Sequence, residues 1–260
     1  MKQILSIFFL IALCGAWASA QTPTPTPVDP LTAEKQRGDR LQARLNDFAN
    51  LARYREANSK LAPPAKGEDR VVFMGDSITD FWKLDQYFPG QPYVNRGISG
   101  QTTPQMVLRF RADVIDLKPK VVVILAGTND LSSYPGPNVI ENTEKNLTSM
   151  VDLAHANGIN VVLATVMPVS DYNKNAAGVQ TIRTVLRPPA QINELNAWIK
   201  KYCAERNLVY LDYFTPMADE KGLLKADIAN DGLHPNAKGY ELIKPLAEAA
   251  IKSALKMRQK

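Results

Sequence analysis

The chain has 260 residues, 45% of them hydrophobic and 22% charged, and 31 basic residues against 26 acidic ones give a formal net charge of +5. This length and composition favour one globular domain with a sizeable core. The basic excess does not indicate binding to nucleic acid or to a membrane, because it gathers where cations complement the dipole of a predicted C-terminal helix, at Lys252, Lys256, Arg258 and Lys260.

The first 20 residues, MKQILSIFFLIALCGAWASA, have the pattern of a cleavable export signal. A basic residue precedes an apolar run ending at Cys14, and Ala18 and Ala20 form an A-x-A cleavage site. The run is shorter than the roughly 20 residues that a transmembrane helix needs, so stable membrane insertion is not expected. A lipid anchor on Cys14 is disfavoured because Leu13 stands where such processing requires a small residue. We expect a secreted or periplasmic protein whose mature chain begins at Gln21.

Residues 21–66 are predicted to link this signal to a folded domain at 67–260. The segment QTPTPTPVDP is a stiff Pro/Thr spacer. After it, apolar residues recur at helical spacing and predict an amphipathic helix that packs against the domain and ends at LAPPAKGEDR; they are Leu41, Leu45, Phe48 and Ala52.

From Arg70 onward, short apolar runs alternate with longer helical segments. The predicted strands are RVVFMG, YVNRGI, KVVVILAG, NVVLATVM and LVYLDYF, and the predicted helices include 103–117, 138–156 and 190–206. Runs that are apolar throughout indicate strands buried on both faces, and strand-helix alternation indicates a parallel sheet. The predicted fold is α/β, a three-layer α/β/α sandwich with a five-stranded parallel sheet. Ligands are expected beyond the carboxyl ends of its strands.

The motif GDSITD follows the first predicted strand and places Ser77 at a strand-to-helix turn. A hydroxyl there lies at the positive end of a helix, which suits attack on a carbonyl. Ser77 followed by Asp80 also fits a capping box, a structural way to begin a helix. The two roles are compatible, so the motif alone leaves both open.

Two further motifs follow the second and third predicted strands. In NRGISGQTT, Gly97 and Gly100 permit close backbone approach and can present an N–H group to a ligand. In GTND, Asn129 fits either a turn residue or an amide that donates to a developing oxyanion.

The motif DGLHPN contains one of only two histidines in the chain. The spacing of Asp231 and His234 lets the carboxylate hold one imidazole nitrogen and leaves the other free to take a proton from Ser77, as a serine triad requires. The other histidine, His155, lies near the C-terminal end of a predicted helix. A histidine there is ordinarily solvated or complements the helix dipole, so His155 is not the expected base.

GDSITD, GISGQTT, GTND and DGLHPN, in this order and each at a strand end, resemble the sequence blocks of the SGNH hydrolases, a branch of the GDSL esterases and lipases. The resemblance covers residues 70–240 and is closer to the branch that contains the catalytic subunits of platelet-activating-factor acetylhydrolase, through NRGISGQTT…RF…LKPKVVVILAGTND. Ile78 replaces the leucine of the GDSL motif, a conservative change.

This resemblance implies a flavodoxin-like SGNH hydrolase fold with Ser77 as nucleophile, His234 as base and Asp231 as the carboxylate that orients it. It further implies an oxyanion hole made by the N–H groups of Ser77 and Gly100 and the side chain of Asn129. The implied activity is hydrolysis of a short-chain ester, in particular an acetyl ester of a small molecule or a glycan. No metal or other cofactor is implied.

Several alternatives stay open at this point. A lysophospholipase or thioesterase would use the same residues on other esters, and a non-catalytic glycan-binding protein could share the fold. A metal-dependent phosphohydrolase built on Asp76 usually has a second acid two positions later, where this chain has Ile78. The segment 170–189 matches no motif and is expected to overhang the site. The sequence does not predict the oligomeric state.

Overall fold

The structure is a computed structural model that describes residues 29–133 and 136–257. The predicted export signal, with Cys14, and the start of the mature chain at Gln21 lie outside the described residues, as do Arg258 and Lys260. Within the described part, no helix has the length and apolar character needed to cross a membrane. Among the described residues, those up to Ala43 form one compact unit and those from Arg44 onward form another.

The strands are Val71–Gly75 (β1), Tyr93–Gly97 (β2), Val121–Leu125 (β3), Asn160–Ala164 (β4) and Val209–Leu211 (β5). The helices are Pro30–Asn46 (α1), Ala52–Lys60 (α2), Ser77–Asp80 (α3), Leu84–Tyr87 (α4), Thr103–Asp113 (α5), Thr128–Ser133 (α6), Val139–Ala156 (α7), Pro189–Arg206 (α8), Phe214–Met217 (α9) and Ala237–Leu255 (α10). The strands pair in the order β2-β1-β3-β4-β5, and every pairing is parallel. The predicted five-stranded parallel sheet is confirmed.

Both faces of the central strands are buried, which is why β1 and β3 are apolar throughout. Successive side chains of a strand point to opposite faces. Val72 and Met74 of β1 therefore join the core that includes α5, α7 and α8, whereas Val71 and Phe73 join the core that includes α10. Each such side chain contributes about 1.5–3 kcal/mol when fully buried. The two cores make the three-layer sandwich.

Local signals fix where the helices next to the sheet begin. The Thr102 and Gln105 side chains form a capping box at the start of α5, with Pro104 in its first turn. At the start of α10, the Asn236 side chain accepts a hydrogen bond from Gly239 N (3.1 Å). Asn236 also donates to the carbonyl of Asp227 (3.0 Å), which ties the loop ahead of α10 to the helix start.

The single amphipathic helix predicted around residues 41–52 is wrong. α1 ends at Asn46 and α2 begins at Ala52 because Asn50 takes a left-handed conformation, φ 54°, between them. The Asp47 carboxylate then accepts hydrogen bonds from the N–H groups of Leu51 (2.7 Å) and Ala52 (2.9 Å). These bonds satisfy donors that the first turn of α2 would otherwise leave unpaired.

The contact between α2 and the sheet also differs from the predicted one. Leu45 and Phe48 are 71% and 44% exposed, so they are not its basis. Tyr54 makes the contact: its hydroxyl donates to the carbonyl of Gly97, and the Arg96 guanidinium lies 4.6 Å from its ring centroid. A polar aromatic residue thus anchors α2 beside the end of β2.

Candidate active site

Ser77 lies directly beyond the carboxyl end of β1, as the first residue of α3. The capping-box alternative for Ser77 and Asp80 is not what the structure shows, because Asp76 is the cap and its Oδ1 accepts from Ile78 N at 2.9 Å. The Ser77 hydroxyl is therefore not used to cap the helix. Asp80 accepts instead from the N–H (3.1 Å) and hydroxyl (2.7 Å) of Ser99.

His234 approaches Ser77 from the loop before α10. Its Nε2 lies 2.8 Å from Ser77 Oγ, and its Nδ1 lies 2.9 Å from Asp231 Oδ2. The other carboxylate oxygen, Oδ1, accepts from the N–H groups of Leu233 (3.1 Å) and His234 (2.9 Å). The hydroxyl, the imidazole and the carboxylate thus form one continuous chain of hydrogen bonds.

The charge of Asp231 decides which imidazole nitrogen carries the proton. Burial pushes the pKa of Asp231 upward, but hydrogen bonds from the side chain and backbone of His234 hold this pKa below its ordinary value. An ionised carboxylate only accepts, so Nδ1 carries the proton and Nε2 is left to accept from the Ser77 hydroxyl. This is the tautomer that a general base needs.

The turn that carries His234 depends on a glycine. Gly232 has φ +77°, and a Cβ on it would lie 2.1 Å from the carbonyl oxygen of Ser170. Ser170 N in turn donates to the Gly232 carbonyl at 2.9 Å. Any side chain at Gly232 would force these two segments apart. Steric exclusion therefore explains why DGLHPN has a glycine at this position.

The two other residues predicted for an oxyanion hole lie in the loop before α5 and in the first turn of α6. Gly100 is exposed with φ +78°, and nothing would meet a Cβ there within 4 Å, so its backbone borders open space. Asn129 is 7% exposed at the start of α6, and its Nδ2 donates to the carbonyl of Gln101 (3.0 Å), the residue after Gly100. The Ser99 contacts with Asp80 tie the same loop to α3, which begins at Ser77.

A buried arginine fixes the strand ends beneath this loop. Arg109 of α5 is fully buried and donates to the carbonyls of Gly75 (3.0 Å) and Arg96 (2.8 Å), and to the side chain of Gln101. Asp113 balances its charge at 3.0 Å. Sequence reasoning gave Arg109 no role, although a charged residue inside the apolar face of a helix is an available signal.

The segment 170–189 supplies two residues that sequence reasoning missed. Arg183 donates from Nη2 to Asp231 Oδ2 (2.7 Å) and from Nε to the Asp231 carbonyl (3.1 Å). Arg187 donates to Thr128 Oγ1 and to Asn129 Oδ1, both at 3.2 Å. The segment therefore contacts the carboxylate of the hydrogen-bonded chain and the predicted oxyanion donor.

An open cavity of about 560 Å³ adjoins His234. The exposed ring of Phe81 packs against the imidazole, with ring centroids 5.2 Å apart. Polar and aromatic side chains line the rest of the opening; they are Lys83, Gln86, Tyr87, Asn230, Asn236 and Tyr240. A ligand in this cavity would lie next to the proton-carrying imidazole.

The fold and the site define a class: α/β acyl hydrolases whose polar residues gather at the carboxyl ends of an all-parallel sheet. The model of the GDSL-like Lipase/Acylhydrolase family matches residues 73–242, which include all four sequence blocks. The chain belongs to this family, and it is a carboxylic ester hydrolase.

Solved structures support the same fold. A GDSL-like lipase from Bacteroides thetaiotaomicron VPI-5482 is 40% identical, with a TM-score of 0.71 over 80% of this chain and 99% of the other. A candidate acylhydrolase from Bacteroides fragilis NCTC 9343 is 38% identical, with a TM-score of 0.72 over the same shares. A structure described as a candidate platelet activating factor from Streptococcus pneumonia, 20% identical, covers 86% of this chain and 100% of its own with a TM-score of 0.68, which shows a common fold.

A search of known sequences also finds a relative. The Bacillus subtilis (strain 168) protein described as the uncharacterized lipoprotein YqeF is 33% identical over 127 residues, 42% of this chain. The match spans about half of that relative, 52% of its length.

Proposed function

We propose that the protein hydrolyses short-chain carboxylic esters, acetyl esters first among them, through a covalent intermediate on Ser77. The observation that carries this proposal is the chain of hydrogen bonds from Ser77 Oγ to His234 Nε2 (2.8 Å) and from His234 Nδ1 to Asp231 Oδ2 (2.9 Å). It gives a weakly acidic hydroxyl a base at hydrogen-bond distance and gives that base a fixed tautomer.

In the proposed reaction, Ser77 Oγ attacks the ester carbonyl carbon while His234 Nε2 takes the hydroxyl proton. The tetrahedral intermediate then breaks its bond to the alcohol oxygen, and the imidazolium returns the proton to that oxygen. Water next attacks the acyl-serine with the same base, releasing the carboxylic acid and restoring Ser77. The carboxylate of Asp231 stabilises the imidazolium in both halves.

The negative oxygen of the intermediate needs donors that are already oriented. We assign this role to the N–H groups of Ser77 and Gly100 and to Nδ2 of Asn129. The Ser77 N–H lies at the first turn of a helix, where backbone donors are unpaired. Donors of this kind bind the oxyanion more strongly than the ground-state carbonyl, so they lower the barrier.

The cavity beside His234 is the proposed site for the alcohol part of the ester. A leaving oxygen must lie near Nε2 to receive its proton, and this cavity adjoins the same ring. The cavity suits a hydroxyl-rich alcohol such as a sugar, because amide side chains and an exposed aromatic ring line it; these are Gln86, Asn230, Asn236 and Phe81.

The lysophospholipase or thioesterase alternative also has an observation in its favour. Three apolar residues within the five positions before Arg187 are exposed, namely Ile182 (51%), Val185 (73%) and Leu186 (53%). An apolar surface of this kind could hold a longer acyl chain. The length of the preferred acyl group therefore separates the two candidates.

The test combines an ester panel with one variant. Wild-type protein should turn over acetyl esters faster than esters of eight or more carbons, and Ser77→Ala should lower kcat by several orders of magnitude while circular dichroism shows a retained fold. Thr215→Ala, which removes a hydroxyl bonded to Asp212 after β5, is the matched control and should keep activity. Substantial hydrolysis by folded Ser77→Ala protein would reject the mechanism, and a long-chain preference would favour the alternative.

The protein is also proposed to act outside the cytoplasm. The export-signal pattern of residues 1–20 supports this location, and the relative described as a lipoprotein is compatible with it.

A further inference from the structure

Arg187 is a buried cation next to the proposed oxyanion hole. Only 7% of the residue is exposed, and its guanidinium donates to Thr128 Oγ1 and Asn129 Oδ1, each at 3.2 Å. Thr128 and Asn129 are the first two residues of α6. Arg187 therefore contacts the side of Asn129 opposite its donor nitrogen.

The partners of Arg187 are both neutral. In the described part of the chain, no carboxylate oxygen lies within 4.0 Å of its nitrogens, whereas Arg183 of the same segment pairs with Asp231 at 2.7 Å. Asp76 and Asp231 act on Arg187 only at longer range. Burying a guanidinium without a paired carboxylate is costly, so a structural role alone explains this placement poorly.

The contacts of Asn129 show what Arg187 can do. An asparagine amide can turn over and exchange its oxygen and nitrogen. Arg187 can only donate and the Gln101 carbonyl can only accept, so the amide oxygen must face Arg187 and the amide nitrogen must face Gln101. Nδ2 has two N–H groups, and the Gln101 carbonyl uses one of them. The second is then presented in a fixed direction.

The charge of Arg187 adds to this orientation. A cation bonded to the amide oxygen draws electron density away from the amide nitrogen, so the remaining N–H becomes a stronger donor. This effect reaches the oxyanion only through the Asn129 amide, so it should disappear when that amide is absent.

We propose that Arg187 is a positioning residue of the oxyanion hole, which fixes the donor orientation of Asn129 and strengthens its N–H toward the tetrahedral intermediate. The inference rests on the proposed function and deepens it. It also gives the segment 170–189 a part in catalysis, because that segment brings Arg187 to the site.

The first test compares Arg187→Met and Arg187→Lys with wild-type protein on 4-nitrophenyl acetate. Arg187→Met should lower kcat about 10²-fold with little change in KM, because the lost interaction belongs to the transition state. Arg187→Lys keeps the charge but not the planar fork, so its loss should be about 10-fold. Arg206→Met removes an exposed arginine paired with Asp152 and should leave kcat unchanged.

The decisive readout is a double-mutant cycle with Asn129→Ala. If Arg187 acts through Asn129, Arg187→Met should lower kcat by less than about threefold once the amide is absent. A purely structural role predicts the same loss in both backgrounds, and that result would overturn the inference. Folded Arg187→Met protein with kcat within about threefold of wild type would overturn it as well.

Three further outcomes are distinguishable. If circular dichroism shows that Arg187→Met does not fold, the cycle is run with Arg187→Lys, whose smaller loss must likewise vanish in the Asn129→Ala background. If the wild-type activity survives Ser77→Ala, the proposed function and this inference both fail. If activity depends on Ser77 but the Arg187 losses persist without the Asn129 amide, only the inference fails.

Discussion

Replacing Asp231 with asparagine changes the hydrogen-bond chain at its most connected point. Oδ1 of Asp231 accepts from two backbone N–H groups, those of Leu233 (3.1 Å) and His234 (2.9 Å). Oδ2 accepts from His234 Nδ1 (2.9 Å) and from Arg183 Nη2 (2.7 Å). All four partners are donors, and the carboxylate can satisfy them because both of its oxygens accept.

Asparagine has only one acceptor atom for these donors. If its oxygen stays on the backbone N–H groups, its NH₂ group faces His234 Nδ1 and Arg183 Nη2. His234 then moves its proton to Nε2, and the ring presents a donor to Ser77 Oγ at 2.8 Å instead of a base. The turned-over amide is no better, because its NH₂ group faces the N–H groups of Leu233 and His234.

The expected loss follows from the wrong tautomer and the lost charge. The same change in a serine triad of known mechanism costs about 10⁴-fold in kcat, or about 5.4 kcal/mol of barrier. The kcat of Asp231→Asn on an acetyl ester should therefore be lower than that of wild type by about this factor, and circular dichroism should show a retained fold. Asp47→Asn, which alters an aspartate that also accepts two backbone N–H bonds, is the matched control and should keep activity.

The pH at which this comparison is made matters. The pKa of Asp231 is below its ordinary value in the folded protein, so its contribution to stability is fully present above the unfolded pKa, 3.8, and is lost as pH falls through the folded value. A folded Asp231→Asn enzyme within about tenfold of wild-type kcat at pH 8 would refute the assigned role of the carboxylate.

Three further predictions concern other residues. Asn129→Asp should lower kcat at least as much as Asn129→Ala, about 10²–10³-fold, because a carboxylate would face the forming oxyanion; near-normal kcat in folded protein would mean that Asn129 only serves the turn. Burial raises the pKa of Asp76 from 3.8 to about 6, so the wild-type free energy of unfolding should fall as the pH rises through this window. Asp76→Asn has no such charge to bury. In urea unfolding, its free energy of unfolding should therefore rise by roughly 3 kcal/mol relative to wild type between pH 3 and pH 8. A difference that does not change with pH would contradict the burial argument. Mass spectrometry of the exported protein should find Gln21 at its N-terminus, whereas a lipid on Cys14 would contradict the predicted signal.

The parallel sheet, and the polar motifs that follow its strands, could be predicted from local patterns. β1 and β3 are apolar in every position because both faces of a central parallel strand are covered, and the sequence records this directly. Asp231 and His234 were also predictable, because three residues of spacing place a carboxylate and an imidazole in one turn. These features depend on neighbours in the chain, so periodicity and spacing reveal them.

The N-terminal helices show where local patterns were insufficient. The apolar residues near position 45 have helical spacing, but Asp47 and Asn50 divide the segment into two helices. Tyr54 then reaches Gly97, 43 residues later, through a hydroxyl. Spacing of apolar residues cannot predict a polar anchor of this kind, because its partner is a backbone carbonyl at the edge of the folded sheet.

The sequence by itself determined the parallel sheet, the placement of Ser77 after the first strand and the Asp231 and His234 turn, since each follows from residues close together in the chain. Only the tertiary structure decided which side chains support them. Arg187 meets Asn129 across 58 residues and Arg183 meets Asp231 across 48, from a segment with no motif. The physical reason is that an arginine has several donors and a long flexible stem, so its partner depends on which acceptors the fold brings within reach.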